Sequence, residues 1–164
     1  MVGVYFSISG FIFILIFMVN FFSKERVNNI ETKCYGNLLI ISLIGIFFDI
    51  LGCILLQAGI DPESFLYHCL AKIMLIYFIG WISIFTYYVY SISPKSIIKM
   101  NKKIIFIFFI VTSILSSVLN INFELNGTVA FPQGLGVLMT YGFVGIGLIL
   151  SFILTIENIK NVKL

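Results

Sequence analysis

The chain has 164 residues, of which 60% are hydrophobic and 10% charged, with a formal net charge of +3. A soluble domain places about a quarter of its residues in charged side chains, and here the apolar residues gather into long runs rather than onto one face. A water-soluble globule is therefore excluded, and nucleic acid is not the expected partner of a net charge that sits in short segments beside apolar runs.

A helix needs about 20 consecutive apolar residues to cross a bilayer. On that criterion the first span runs Val4–Phe22. No positive residue precedes it and no small-residue cleavage site follows it, so a retained helix is expected rather than a cleaved leader. Lys24, Arg26 and Lys33 separate it from the second span, Asn37–Gln57. A short acidic connection with Asp61 and Glu63 leads to the third span, Phe65–Ile92, whose Tyr87, Tyr88 and Tyr90 are placed for a headgroup-level aromatic belt. Pro94 marks the expected end of that helix. Lys95, Lys99, Lys102 and Lys103 precede the fourth span, Ile104–Ile121. A connection containing Glu124, and without Lys or Arg, then leads to the fifth span, Val137–Ile156, which is followed by Lys160 and Lys163.

The fold expected is an all-α integral membrane bundle of about five transmembrane helices, forming one domain over residues 1–164. Nine of the ten basic residues fall in alternate connections and the tail, which predicts a multi-pass protein of the cell membrane with its N-terminus outside and its C-terminus in the cytoplasm. Cys34, Cys53 and Cys69 lack CxxC spacing and are expected as free thiols.

Asp49 and Lys72 stand inside predicted spans, where an ionisable group costs at least about 2.5 to 3.5 kcal/mol unless it meets protein, water or a partner. Asp49 is therefore expected to point inward. At about 1.5 Å per residue the two reach similar depths on neighbouring antiparallel helices, which predicts an ion pair. Cys53 follows Asp49 by one turn, and His68 precedes Lys72 by one turn, so Asp49, Cys53, His68, Cys69 and Lys72 form a candidate intramembrane polar cluster. Its readings are a pair that fixes two helices, a proton- or ligand-sensing site, and, least favoured, a metal site. Thr112, Ser113, Ser116 and Ser117 in the fourth span, with Gly142, Gly145 and Gly147 in the fifth, are candidates for close helix packing.

Enzymatic constellations are missing: the sequence holds one His and no HExxH, GxSxG or phosphate-binding loop. No catalysis, no catalytic residue, no cofactor and no bound metal is expected of this chain. Asn126, Gly127 and Thr128 match a glycosylation sequon that a bacterial source would render meaningless.

The stretch "FFSKERVNNIETKCYGNLLIISLIGIFFDILGCIL", with the later "FTYYVYSIS" and "TIENIKNVK", resembles the membrane-embedded N-terminal sensor region of Firmicute sensor histidine kinases. The scarcity of Ala, found only at Ala58, Ala71 and Ala130, suits a low-GC bacterium. The resemblance implies a two-component signal-transduction module of the inner membrane. In that family a dimerisation helix and an ATP-binding kinase domain follow the membrane region. Neither is present here, and His68, placed near the outside, does not match the phosphoacceptor. The partners it implies are the lipid bilayer, a second copy in a homodimer, or a partner membrane or kinase protein. The alternative expectation is a small transporter or a transporter accessory or assembly subunit, with Asp49 on a polar path.

Overall fold

The computed structural model describes residues 2–25, 27–92, 102–126 and 129–162. Arg26, Pro94, Lys95, Lys99, Gly127, Thr128 and Lys163 lie outside them, so the expectations on those residues are not addressed by the structure. Five helices form, α1 (Val2–Phe22), α2 (Ile30–Gln57), α3 (Phe65–Ser91), α4 (Lys102–Val118) and α5 (Leu135–Val162). A two-stranded hairpin, β1 (Asn122–Asn126) and β2 (Val129–Gln133), stands between α4 and α5. The expected helical architecture is met. Four of the helices, α1, α2, α3 and α5, are long and apolar enough to cross a membrane, while α4 contributes a shorter apolar segment, Phe106–Val118. Large apolar side chains such as Phe6, Phe65, Phe106 and Phe152 cover the outside of the bundle, a surface compatible with a membrane protein and costly in water.

The helix boundaries have local causes. α2 begins seven residues before the apolar run because Asn29 caps it, its side chain accepting from the Thr32 N–H at 2.8 Å, with Glu31 in the first turn. It ends in a Schellman motif: Gly59 takes φ +78°, its N–H reaches the Leu56 carbonyl at 3.1 Å, and the Ile60 N–H reaches Leu55 at 3.1 Å. The Asp61 side chain accepts from the Glu63 N–H at 2.9 Å, tightening the turn into α3, where Ser64 is the N-cap. α3 stops at Ser91 with Ile92 as its C-cap.

Consecutive helices run antiparallel. α1 lies on α2 through Ser7 with Asp49, Gly10 with Ile46, and Phe21 with Tyr35. α2 meets α3 through Tyr35 with Tyr88, Ser42 with Trp81, Gly45 with Tyr77, and Gly52 with Leu70. α3 then packs on both α4 and α5, so it is the hub of the bundle, whereas α1 is docked on α2. Two faces of α3 divide this work. Leu70, Tyr77, Trp81 and Tyr88 meet α2. The buried Leu75, Ile79, Ile82, Thr86 and Val89 form a separate stripe with alternating steps of four and three, the spacing of a left-handed helix seam. Val137, Thr140, Gly147, Ser151 and Leu154 repeat that pattern on α5.

The hairpin is the element absent from the expectations. Its register pairs Asn122 with Gln133, Phe123 with Pro132, and Glu124 with Phe131. Side chains alternate across it: Phe123 turns down onto the small core of Leu75, Ile121, Val137 and Ala71, while the Glu124 carboxylate accepts from the Gln133 amide. Gly134, at φ +111°, lets the chain enter α5 against the end of α4, since a Cβ there would stand 2.7 Å from the Asn120 carbonyl oxygen. The hairpin therefore marks one end of the bundle, shared with the α2–α3 turn. The α1–α2 connection and the end of α3 mark the other.

Candidate polar site along the helix seams

Each pair of packed helices is joined by a polar contact. Ser7 of α1 donates to the Asp49 carboxylate of α2. Trp81 of α3 donates through Nε1 to Ser42 Oγ of α2 at 2.9 Å. Lys72 of α3 donates through Nζ to the Ser117 carbonyl of α4 at 2.6 Å. Between α3 and α5, Ser151 donates to Thr86 Oγ1 at 3.1 Å and Thr86 to the Gly147 carbonyl at 3.3 Å. Between α4 and α5, Ser116 and Thr140 hydroxyls lie 2.9 Å apart, and Thr140 donates to the Gly136 carbonyl at 2.9 Å. In hydrocarbon such bonds hold helices together because lipid offers polar groups no alternative partner.

The five-residue cluster expected from spacing is not assembled. Asp49 and Lys72 do not form an ion pair, for the carboxylate is held by Ser7 and the ammonium by Ser117. The cause is azimuth: Lys72 extends the α3 stripe that faces α4 and α5, while α2 meets the opposite stripe of α3. There Lys72 caps the C-terminus of α4, where the last carbonyls lack intrahelical donors and carry partial negative charge. His68 turns to the hairpin, its Nε2 3.3 Å from Glu63 Oε2 and its ring centroid 5.0 Å from that of Phe123. The Tyr67 ring meets Phe123 from the same turn at 5.1 Å. Cys53 stands one turn from Asp49, within reach of its charge, whereas Cys69 lies on α3, half-buried. Among the described residues the three cysteines form no disulfide, and no group of three His, Cys, Asp or Glu side chains is placed to hold a metal ion.

Asp49 also departs from the expectation that it points inward, since it is exposed on the surface of the chain. It lies eight residues before the end of α2 at Gln57, about 12 Å along the helix, on the side of α2 between α1 and α3. Ser7 stands on one wall, and the charge reaches Tyr67 and Tyr77 of α3 on the other.

Of the small residues, Thr112 and Ser116 are buried, Thr112 donating to the Phe108 carbonyl at 2.8 Å, and Ser117 supplies the carbonyl that Lys72 reaches. Ser113 Oγ is buried without a hydrogen-bond partner. Gly142 and Gly145 are not packing positions within the chain, because a Cβ on either would meet nothing within 4 Å. Gly147 is such a position: a Cβ there would lie 2.4 Å from Ile82 Cγ1. Ser7, Ser42, Trp81, Thr86, Thr140 and Ser151 are seam residues that the apolar runs do not reveal. The signal that finds Thr140 and Ser151 is small and hydroxyl residues at seam spacing, Thr140, Gly147 and Ser151.

At the end away from the hairpin, an open groove of about 630 Å³ is lined by Asn29, Glu31, Lys33, Tyr87, Tyr90 and Ser91, among others. Tyr87 and Tyr90, both half-buried, pack ring to ring at 6.3 Å, and the half-buried Tyr88 meets Tyr35 of α2 at 6.2 Å.

Comparison of the chain with protein-family models, with curated proteins and with solved structures finds no match.

Proposed function

We propose that this chain is a multi-pass module of the bacterial cell membrane that senses and relays a signal through helix packing, without kinase or other catalytic activity of its own. The observation that carries the reading is the hub position of α3. Its first turns hold the hairpin through Tyr67 and His68, its middle is bonded to α2, α4 and α5, and its last turns line the groove at the far end. A displacement at the hairpin thus has a continuous packed route to the other end, and a shift of helices past one another is an established form of switching.

The topology that goes with this reading places the N-terminus and the hairpin outside and the C-terminus in the cytoplasm. Antiparallel packing of successive helices supports it, because it sends the Lys- and Arg-bearing connections to one end. Likeness to the sensor region of histidine kinases would make the cytoplasmic ends of α3 and α5 the output.

Spin labels at Lys33 and Ser91, across the groove, test the proposal in lipid nanodiscs. Loosening the hairpin with Phe123→Ala is expected to move the label-to-label distance by about 1–2 Å, the size of helix shifts in known switches. An unchanged distance distribution would overturn the relay. The second reading, a transporter or an accessory or assembly subunit, is favoured by one observation, the surface position of Asp49.

A further inference from the structure

We propose that the cleft over α2, between α1 and α3, receives a transmembrane helix of another protein that carries a Lys or Arg at the level of Asp49. The inference rests on the bilayer placement of α2 and is independent of the sensory reading. Asp49 lies within an 18-residue-or-longer apolar helix, about 12 Å from its end. It is exposed, and among the described residues its hydrogen-bond donor is the single hydroxyl of Ser7. An ionised carboxylate accepts at about four lone-pair sites, and the Ser7 hydroxyl fills one of them. Charges at such depth face protein or water and pair with one another.

The occupant follows from what can reach that depth. Backbone in contact with hydrocarbon must satisfy its own hydrogen bonds, which makes a helix the element that delivers a side chain there. Low local dielectric makes a cation the strongest complement to the carboxylate. A second copy of this chain is disfavoured, because its basic residue inside an apolar helix at comparable depth, Lys72, is already engaged by the Ser117 carbonyl on the far side of α3. Ser7 of α1 flanks the carboxylate on one side, and Tyr67 and Tyr77 of α3 lie near it on the other, with Tyr77 over Gly45.

The test uses the full chain, labelled with a fluorescence donor and reconstituted in phosphatidylcholine vesicles, with acceptor-labelled leucine-rich transmembrane peptides. One peptide carries a single Lys about 12 Å from its end, and the other carries Leu there. Energy transfer is expected to report at least roughly tenfold tighter association of the Lys peptide, a difference of about 1.4 kcal/mol. Asp49→Asn, which preserves shape and an acceptor for Ser7, is expected to abolish the preference. Ser7→Ala, which leaves the charge in place, is expected to retain it. Equal association of the two peptides, or a preference that survives Asp49→Asn, would overturn the proposal. So would a preference lost equally in Ser7→Ala, which would make the docking of α1, not the charge, the determinant. Failure of the wild-type chain to float with the vesicles would remove the bilayer premise, and the proposal with it.

Discussion

Asp49 and Lys72, on adjoining helices, face away from each other: the carboxylate takes the Ser7 hydroxyl of α1, and the ammonium reaches the Ser117 carbonyl of α4 at 2.6 Å. Each therefore stabilises a different interface. Lys72→Met removes a charged donor from the end of α4, and a hydrogen bond to a charged group contributes about 1.5–3 kcal/mol. We expect that loss in reversible unfolding by denaturant in detergent. Asp49→Asn is expected to cost less, because the amide still accepts from Ser7. The double variant should show the sum of the two effects within about 0.5 kcal/mol, as independent sites do. A coupling of several times that size would restore the ion pair.

The glycines of α5 divide by position. Gly147→Ala forces a Cβ to within 2.4 Å of Ile82 Cγ1 and is expected to destabilise by about 1–3 kcal/mol through overpacking. In an Ile82→Ala background, which carries its own cavity cost, Gly147→Ala should cost less than in the wild-type chain. Gly142→Ala and Gly145→Ala meet open space and should be neutral or stabilising by up to about 1 kcal/mol from helix propensity alone. Thermal unfolding of the three variants side by side checks the order.

Apolar runs made the helices legible, down to the start of α3 at Phe65. They could not show that α2 begins at Ile30, since its first turn is polar and depends on the Asn29 cap. The apolar runs do not reveal the hairpin, because five-residue strands are too short to register beside spans. Its signals were present all the same: Phe123, Glu124 and Leu125 alternate, and Asn126-Gly127 is a turn dipeptide. Depth along a helix was readable and rotation about it was not. Spacing therefore puts Asp49 and Lys72 at one level without showing that they meet different helices. The seven-residue stripe through Lys72, Leu75, Ile79 and Ile82 would have turned Lys72 toward α4.

Phe123 holds the hairpin to α3 by edge-on contacts with Tyr67 at 5.1 Å and His68 at 5.0 Å, above the core of Leu75, Ile121 and Val137. Aromatic pairs of this geometry contribute about 0.5–1.5 kcal/mol beyond their burial. Phe123→Leu should keep the core contact and lose the ring contacts, while Phe123→Ala loses both. Hydrogen exchange at the β1 and β2 amides is the readout, with protection expected to fall in that order and the α1 amides unaffected.

Thr140 is fully buried and donates to the Gly136 carbonyl, so at the Ser116–Thr140 contact Ser116 is the donor and Thr140 Oγ1 the acceptor. Thr140→Val keeps the volume but strands the Ser116 hydroxyl, itself 1% exposed. Interhelical bonds of this kind in membranes average about 0.6 kcal/mol and reach about 1.7. The full burial of both groups puts Thr140→Val toward the upper figure. Ser116→Ala alone removes only the donor and should cost less, because Thr140 keeps its bond to Gly136. The double variant, with no hydroxyl left unpaired, should be more stable than Thr140→Val alone, since removing both partners spares the cost of an unsatisfied group. Unfolding free energies for the cycle decide it: a double variant weaker than Thr140→Val would mean that Ser116 contributes through packing rather than as the donor to Thr140.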